Sequence, residues 1–197
     1  MFRKQDGQSL ADMLVVLAII GMSVGVALPS FNSLRRRSAV RASASEIRAM
    51  FHAARMRAIT RGLNSGIRFT KSGKEWRYAE YDDRDGDGVR NDDIASGVDV
   101  PLFDPRPVLM TDRGAATIGV LAKTIPDPDG DKLTPASSPI QFGRSQICSF
   151  SPTGESTSGT IYLTDGLGGI YAVRVYGATA KIRTLRWDEK SRKWVGQ

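Results

Sequence analysis

The feature that most constrains this chain is an apolar stretch close to its N-terminus. Between Leu10 and Leu28 every residue is apolar or small, apart from Asp12 and Ser23. A helix of that length reaches roughly 28 Å, which is enough to cross the hydrocarbon core of a bilayer. The stretch is apolar on all sides, whereas a helix at the edge of a globular core carries a single apolar stripe. The sequence therefore predicts a membrane-spanning helix.

Asp12 is the one charged residue inside this stretch. A carboxylate in a membrane helix costs about 2.5–3.5 kcal/mol at the bilayer centre and less near an end, so it marks a functional position. Asp12 follows Gly7 by five residues. If the chain were cut after Gly7, the new amine could pair with this carboxylate, either in the same subunit or in a neighbouring subunit of a filament.

The segment around Asp12 matches a known processing signal. Residues 7–21 read GQSLADMLVVLAIIG and resemble the class III leader junction of type IV pilins and pseudopilins. The resemblance implies that prepilin peptidase cuts between Gly7 and Gln8 and methylates Gln8. It also implies that Asp12 is the assembly carboxylate and that Pro29 kinks the helix. This chain has Gln8 where the family usually has Phe, and Asp12 where it usually has Glu.

The next segment predicts a helix with one buried face. Apolar residues recur there at helical spacing, which predicts the side that packs on a globular domain. These residues are Ile47, Met50, Phe51, Ala54 and Ala58. Gly62 is a suitable end for this helix, because glycine readily adopts the left-handed conformation that closes helices.

After Gly66 the hydrophobic period changes from helical to alternating, which predicts β-strands. The alternating segments are residues 67–69, 76–81, 160–163, 170–176 and 181–187. Gly-rich turns at 166–169 and 177–180 predict antiparallel neighbours. We therefore predict an α+β fold in which the long N-terminal helix packs on one sheet of an antiparallel β-sandwich.

Two parts of this region extend the resemblance. Residues 54–62, and residues 150–154 with 159–164, resemble the GspH/FimT family of minor pseudopilins and minor pilins. The resemblance implies a single-pass inner-membrane protein with a periplasmic domain that later joins a pilus or pseudopilus. Its partners would be prepilin peptidase and other pilin subunits. It divides the chain into a leader, a transmembrane or filament-core helix, an amphipathic continuation and a β-rich domain, at 1–7, 8–29, 30–62 and 63–197.

An acidic segment begins like a calcium-binding loop. In residues 83–94 alternating carboxylates can wrap oxygens around a hard cation, and Gly88 at the sixth place permits the sharp turn. The twelfth place, where a bidentate carboxylate closes the shell, holds Ile94. Calcium is the one cofactor that the sequence suggests, and an acidic turn between strands is the alternative. The candidate ligands are Asp83, Asp85, Asp87, Asn91 and Asp93.

The C-terminal strands are rich in basic residues, in a chain whose formal net charge is +7. A basic strand face near Trp187 and Trp194 suits contacts to a DNA backbone with occasional base stacking. Some FimT-type minor pilins bind DNA through a basic C-terminal region, and the resemblance adds this hypothesis. The alternative is a solvated edge that discourages aggregation. The candidate residues are Arg174, Lys181, Arg183 and Arg186.

Composition excludes several kinds of catalytic site. With one histidine, His52, and one cysteine, Cys148, the chain can form neither an internal disulfide nor a histidine-cluster metal site. We therefore expect a structural subunit and no enzyme. One expected role is assembly or tip subunit of a type II secretion pseudopilus. The alternative is a type IV pilus subunit that takes up DNA in natural transformation.

Overall fold

The structure is a computed structural model, and it describes residues 6–73, 75–108 and 116–197. Side chains are described throughout these ranges except at 6–9 and 23–33. The predicted cleavage residues Gly7 and Gln8 and the predicted kink at Pro29 lie outside the described side chains and stay predictions. Within the described residues, no helix combines the length and the apolar composition that a membrane crossing requires.

The chain begins with one long helix, α1, which spans Asp6–Arg61. At about 1.5 Å per residue its 56 residues extend roughly 84 Å. Gly62 follows with a φ of 68°, so the predicted glycine end is confirmed. One face of the helix is buried from Val40 onward, at intervals of three and four residues. The buried residues of this face include the predicted Ile47, Phe51, Ala54 and Ala58.

The remainder of the described chain is mainly β-structure, with a second α-helix, α2, at Asn91–Ser96 and a short 3₁₀ helix at Gly177–Thr179. The strands follow one another as β1 (Ser65–Ser72), β2 (Glu75–Asp82), β3 (Val100–Pro101), β4 (Arg106–Pro107), β5 (Thr117–Ile118), β6 (Ile125–Pro126), β7 (Lys132–Leu133), β8 (Ile140–Gln141), β9 (Ile147–Phe150), β10 (Gly159–Thr164), β11 (Ile170–Tyr176), β12 (Lys181–Asp188) and β13 (Lys193–Gly196). All five predicted strands are confirmed, as β1, β2, β10, β11 and β12. The stretch around Cys148 also has the character of a strand and is found as β9, whereas the six two-residue strands between β2 and β9 and the final β13 were not predicted.

The strands form two larger antiparallel sheets and a small one. The first sheet has the order β3-β2-β1-β9, with β4 also paired to β2. The second has the order β13-β12-β11-β10-β5, with β8 also paired to β10. Strands β6 and β7 form the small sheet. The α+β class with a long N-terminal helix on antiparallel sheets is therefore confirmed.

The helix packs against strands of both large sheets, whereas the sequence predicted contact with one. An aromatic cluster joins the three layers: the ring centroid of Phe51 on α1 lies 6.2 Å from Phe69 on β1 and 5.7 Å from Phe142. Phe150 on β9 is 6.2 Å away from the same ring. Ile161 on β10 belongs to the same buried core. The helix contacts β1 and β9 of the first sheet and β10, β11 and β12 of the second, and the Phe51 ring is part of the core that they share.

Two ion pairs join the end of α1 to β2. Arg57 contacts the buried carboxylate of Glu80, whose other oxygen accepts a 2.7 Å hydrogen bond from the Ser65 hydroxyl. One helical turn later, Arg61 pairs with Asp82. Because Glu80 is only 4% exposed, this first pair is protected from solvent and fixes the helix against the strand.

Candidate functional site

The first candidate region is the N-terminal arm of α1. Asp12 is exposed there, and the apolar residues around it are also exposed: Met13 is 67% accessible and Val16 is 54% accessible. Among the side chains of α1 that the structure describes, the first fully buried one is Val40. An apolar surface of this extent is typical of a site that contacts lipid or other proteins.

The second candidate region is the acidic loop that follows β2. Asp83 is fully buried and accepts hydrogen bonds from the side chain of Asn64 at 2.6 Å and from the amides of Gly86 and Gly88 at 2.8 and 2.9 Å. Burial raises the pKa of Asp83, but these hydrogen bonds outweigh it and hold the pKa below its ordinary value. Asp83 is therefore an ionised carboxylate inside the fold at neutral pH.

Asp85 and Asp87 extend from the same loop beside Asp83. One carboxylate oxygen from each of the three residues lies within 4.8 Å of the others. Asp85 and Asp87 are exposed, and Arg90 pairs with Asp87. The loop can follow this path because Gly86 and Gly88 have φ values of 86° and 96°, where other residues are strained. Three predicted ligands thus come together in the arrangement that a cation would need.

The two other predicted ligands lie on α2. The side-chain nitrogen of Asn91 donates to the Ser145 carbonyl at 3.3 Å, and its Oδ1 is buried without a hydrogen-bond partner. Asp93 is outside the group of three carboxylates, and its backbone carbonyl accepts from the amides of Val98 and Asp99. The side-chain oxygen of Asn91 is therefore available to a ligand, whereas the backbone carbonyl of Asp93 accepts the hydrogen bonds that end α2.

Asp99 is a further acidic residue of this loop that the sequence analysis missed. Its side chain is fully buried; Oδ2 accepts a 3.1 Å hydrogen bond from the Arg90 amide, while Oδ1 has no hydrogen bond of normal geometry. Burial raises its pKa, the amides of Arg90 and Arg84 oppose this, and the Asp83 and Asp93 carboxylates raise it further. The sequence feature that could have revealed Asp99 is its position as a single carboxylate between Val98 and Val100, after the regularly spaced aspartates of the loop.

The third candidate region is the basic part of the second sheet. Arg174 on β11 lies directly opposite Arg183 on β12. Lys181 and Arg183 alternate on one face and are exposed. The Arg174 side chain is only 11% exposed and donates to Asp129 at 2.5 Å. The strand therefore presents Lys181 and Arg183 to solvent, while Arg174 is already paired.

Arg186 lies on the other face of β12. The ladder between β11 and β12 is continuous, so side chains an odd number of residues apart point to opposite faces, and Arg186 is three residues after Arg183. Trp187 is 6% exposed and packs edge-on against Trp194, with ring centroids 5.6 Å apart. The four predicted basic residues thus do not form one surface, and the buried Trp187 ring is not available to stack on bases.

Comparison with known proteins shows the family of this chain. A family model described as type II transport protein GspH matches residues 43–179, which is more than half of the 197 residues. The chain belongs to the GspH family. Membership supports a pseudopilin or minor-pilin role in type II secretion, in association with other pseudopilin subunits. No curated protein and no solved structure gives a significant match.

The segment that matches the GspH family contains the structural core and one of the three candidate regions. It begins within the buried part of α1, includes the acidic loop and ends just before β12. Asp12, Lys181 and Arg183 lie outside it. The family match therefore applies to most of the globular domain. The roles suggested for the arm and for the basic strand β12 rest only on the properties of their own residues.

Proposed function

We propose that this GspH-family chain is a minor subunit of a type II secretion pseudopilus, processed by prepilin peptidase and inserted through its N-terminal helix. The observation that best supports this proposal is the structure of the long helix α1. Its C-terminal half is fixed in the family's globular core, while the arm around Asp12 leaves exposed the apolar surface that an assembly helix needs.

The arm has two successive environments in this proposal. Before assembly, the apolar residues from Leu10 to Leu28 cross the inner membrane and hold the globular domain on the periplasmic side. During assembly the same helix packs among neighbouring subunits. Asp12 then pairs with the N-terminal amine of the adjacent subunit, which offsets the cost of a charge in an apolar surrounding.

We also propose that the subunit has no catalytic activity. The single cysteine, Cys148, is fully buried on β9, and burial raises its pKa well above the usual range, so its thiolate is strongly disfavoured. His52 is exposed on α1, where burial and the neighbouring Arg48 and Arg55 lower its pKa. Neither group has the environment of an activated nucleophile or of a poised base.

Processing of the leader tests the proposed function directly. When the full chain is expressed with a prepilin peptidase, intact-mass measurement is expected to show loss of residues 1–7. Gly7→Ala is expected to abolish nearly all of this cleavage, because the peptidase must fit the backbone at the cut. Gly21→Ala is the matched control; its Cβ meets nothing within 4 Å, so processing should be normal. A wild-type chain that keeps residues 1–7 would contradict the proposal.

A second candidate function is DNA binding by a type IV pilus subunit, and one observation favours it. Lys181 and Arg183 are exposed side by side on β12. Three more exposed basic residues, Lys190, Arg192 and Lys193, lie between the end of that strand and the start of β13. Exposed basic side chains at both ends of β12 suit sequence-independent phosphate contacts.

Salt-dependent binding measures this second function. The full chain should bind double-stranded DNA at low salt, and the double variant Lys181→Ala/Arg183→Ala should lower the slope of log affinity against log salt by about 0.9 for each phosphate that it no longer neutralises. Arg186→Ala, on the opposite face of β12, is the control and should leave the slope unchanged. Absence of wild-type binding at low salt would reject DNA uptake and leave the secretion role.

A further inference from the structure

The acidic loop after β2 concentrates more negative charge than its surroundings balance. Asp83 and Asp99 are both fully buried, and the negative charge of Asp83 contributes to raising the pKa of Asp99. Asp85 and Asp87 add two further carboxylates beside Asp83. In the described part of the chain, Arg90 forms an ion pair with Asp87, and no Lys or Arg pairs with Asp83, Asp85 or Asp99. A bound cation would offset this concentration of carboxylates, in addition to the hydrogen bonds that already hold Asp83.

Two buried oxygens in this region also lack partners. Asp99 Oδ1 accepts no hydrogen bond of normal geometry, although the Arg90 amide of the same loop donates to Oδ2 and the Arg84 amide also lies near the carboxylate. Asn91 Oδ1, at the ninth place of the loop, is likewise buried and unpartnered. Buried carboxylate and amide oxygens without donors are unfavourable by themselves, but they are the ligands that hard cations take.

We propose that this loop binds Ca²⁺ through Asp83, Asp85 and Asp87, and that the buried Asp99, which lies outside this group of three, approaches it as the cation binds and closes the coordination shell. Asp99 thereby does what a carboxylate at the twelfth place would do, where this chain has Ile94. Asn91 supplies a neutral oxygen from the start of α2. Arg90 leaves Asp87 when the cation enters, and it can do so cheaply because both side chains are largely exposed.

The ligand set favours Ca²⁺ over Mg²⁺. Several protein oxygens converge from a loop and from a residue at its far end, which suits the six to eight ligands of Ca²⁺. Mg²⁺ demands a near-octahedral shell at shorter distances and keeps several waters. Because Asp83 and Asp99 are buried, a cation here takes part of its shell directly from the protein, which suits Ca²⁺ better than a strongly hydrated Mg²⁺.

Binding here would stiffen the junction between helix and sheet. Asp83 holds Asn64, which connects α1 to β1, and Val89 within the loop packs against the Gly66 backbone of β1. Asp99 immediately precedes β3. A cation that joins Asp83 to Asp99 therefore ties the end of β2 to the start of β3 at the place where α1 meets the first sheet.

The test is calorimetric titration of the full chain in a mild detergent with CaCl₂ and, separately, MgCl₂. The wild type is expected to bind one Ca²⁺ with a dissociation constant of about 10⁻⁵–10⁻³ M and to bind Mg²⁺ at least about tenfold more weakly. Asp85→Asn and Asp99→Asn should each weaken Ca²⁺ binding by about tenfold or more. Because Asp85 is exposed, its variant removes a ligand without disturbing the fold.

Asp92→Asn is the matched control, since Asp92 is exposed in the same acidic segment and lies outside the ligand set. It should change Ca²⁺ affinity by less than about twofold. In EGTA, Asp99→Asn should unfold at a temperature no lower than wild type, because it removes repulsion between buried carboxylates. A wild type without Ca²⁺ binding, an Asp99→Asn variant with unchanged affinity, or an Asp92→Asn loss as large as that of Asp99→Asn would overturn the proposal.

Discussion

Replacing Phe51 with alanine is expected to lower the free energy of unfolding by about 3–5 kcal/mol. The Phe51 side chain is fully buried at the meeting point of α1 and both sheets, with three aromatic rings within 6.2 Å. Its removal leaves a cavity that these rings cannot easily fill, because each of them is itself buried and packed in the core. Urea unfolding of the full chain in detergent measures the destabilisation as a lower midpoint at unchanged slope.

Met56→Ala, on the same helix, is the control for this measurement. Met56 is 59% exposed, so its replacement should cost about 1 kcal/mol or less. A Phe51→Ala variant no less stable than Met56→Ala would mean that α1 is not fixed to both sheets through this ring.

Gly159→Ala is expected to destabilise the fold by about 3 kcal/mol or more. A Cβ built on Gly159 would lie 2.2 Å from Cδ1 of the Phe142 ring and 2.4 Å from the backbone carbonyl of Gln141. Phe142 is fully buried, and Gln141 is held in the pairing of β8 with β10, so neither neighbour can yield easily. Thermal or urea unfolding of the full chain measures this effect.

The matched control for the second variant is Gly196→Ala. Gly196 also lies in a strand of the second sheet, but a Cβ there meets nothing within 4 Å. Its replacement should change stability by no more than about 0.5 kcal/mol. If the two alanine variants proved equally stable, the close approach of β8 to β10 would be wrong.

The sequence predicts those parts of the fold in which a hydrophobic period persists. The stripe through Phe51 and the alternation in β11 each repeat over several residues, so helix and strand are distinguishable without tertiary information. The two-residue strands such as β5 and β6 have no room for a period, and they form only because a longer strand or loop offers backbone partners. The contact of α1 with both sheets likewise depends on three-dimensional packing.

The candidate sites show the same limit. The spacing of Asp83, Asp85 and Asp87 predicts their clustering because all three lie within five residues of one loop. Asp99 is brought back to that loop by α2 and the turn after it, and no local sequence pattern predicts this approach. For the basic residues, alternation correctly placed Lys181 with Arg183 on one face. It could not show that Arg174 is already paired with Asp129, which is 45 residues away in sequence.

The pairing of β1 with β9 affects when the domain can fold. Ser65 lies opposite Phe150, and α1 packs against β11 and β12, so the earliest and latest parts of the chain meet in one core. Contacts this distant in sequence require closure of long loops and slow the folding rate. During synthesis, the apolar face of α1 emerges from the ribosome well before its partner strands. It must therefore stay shielded from aggregation until the last strands have arrived.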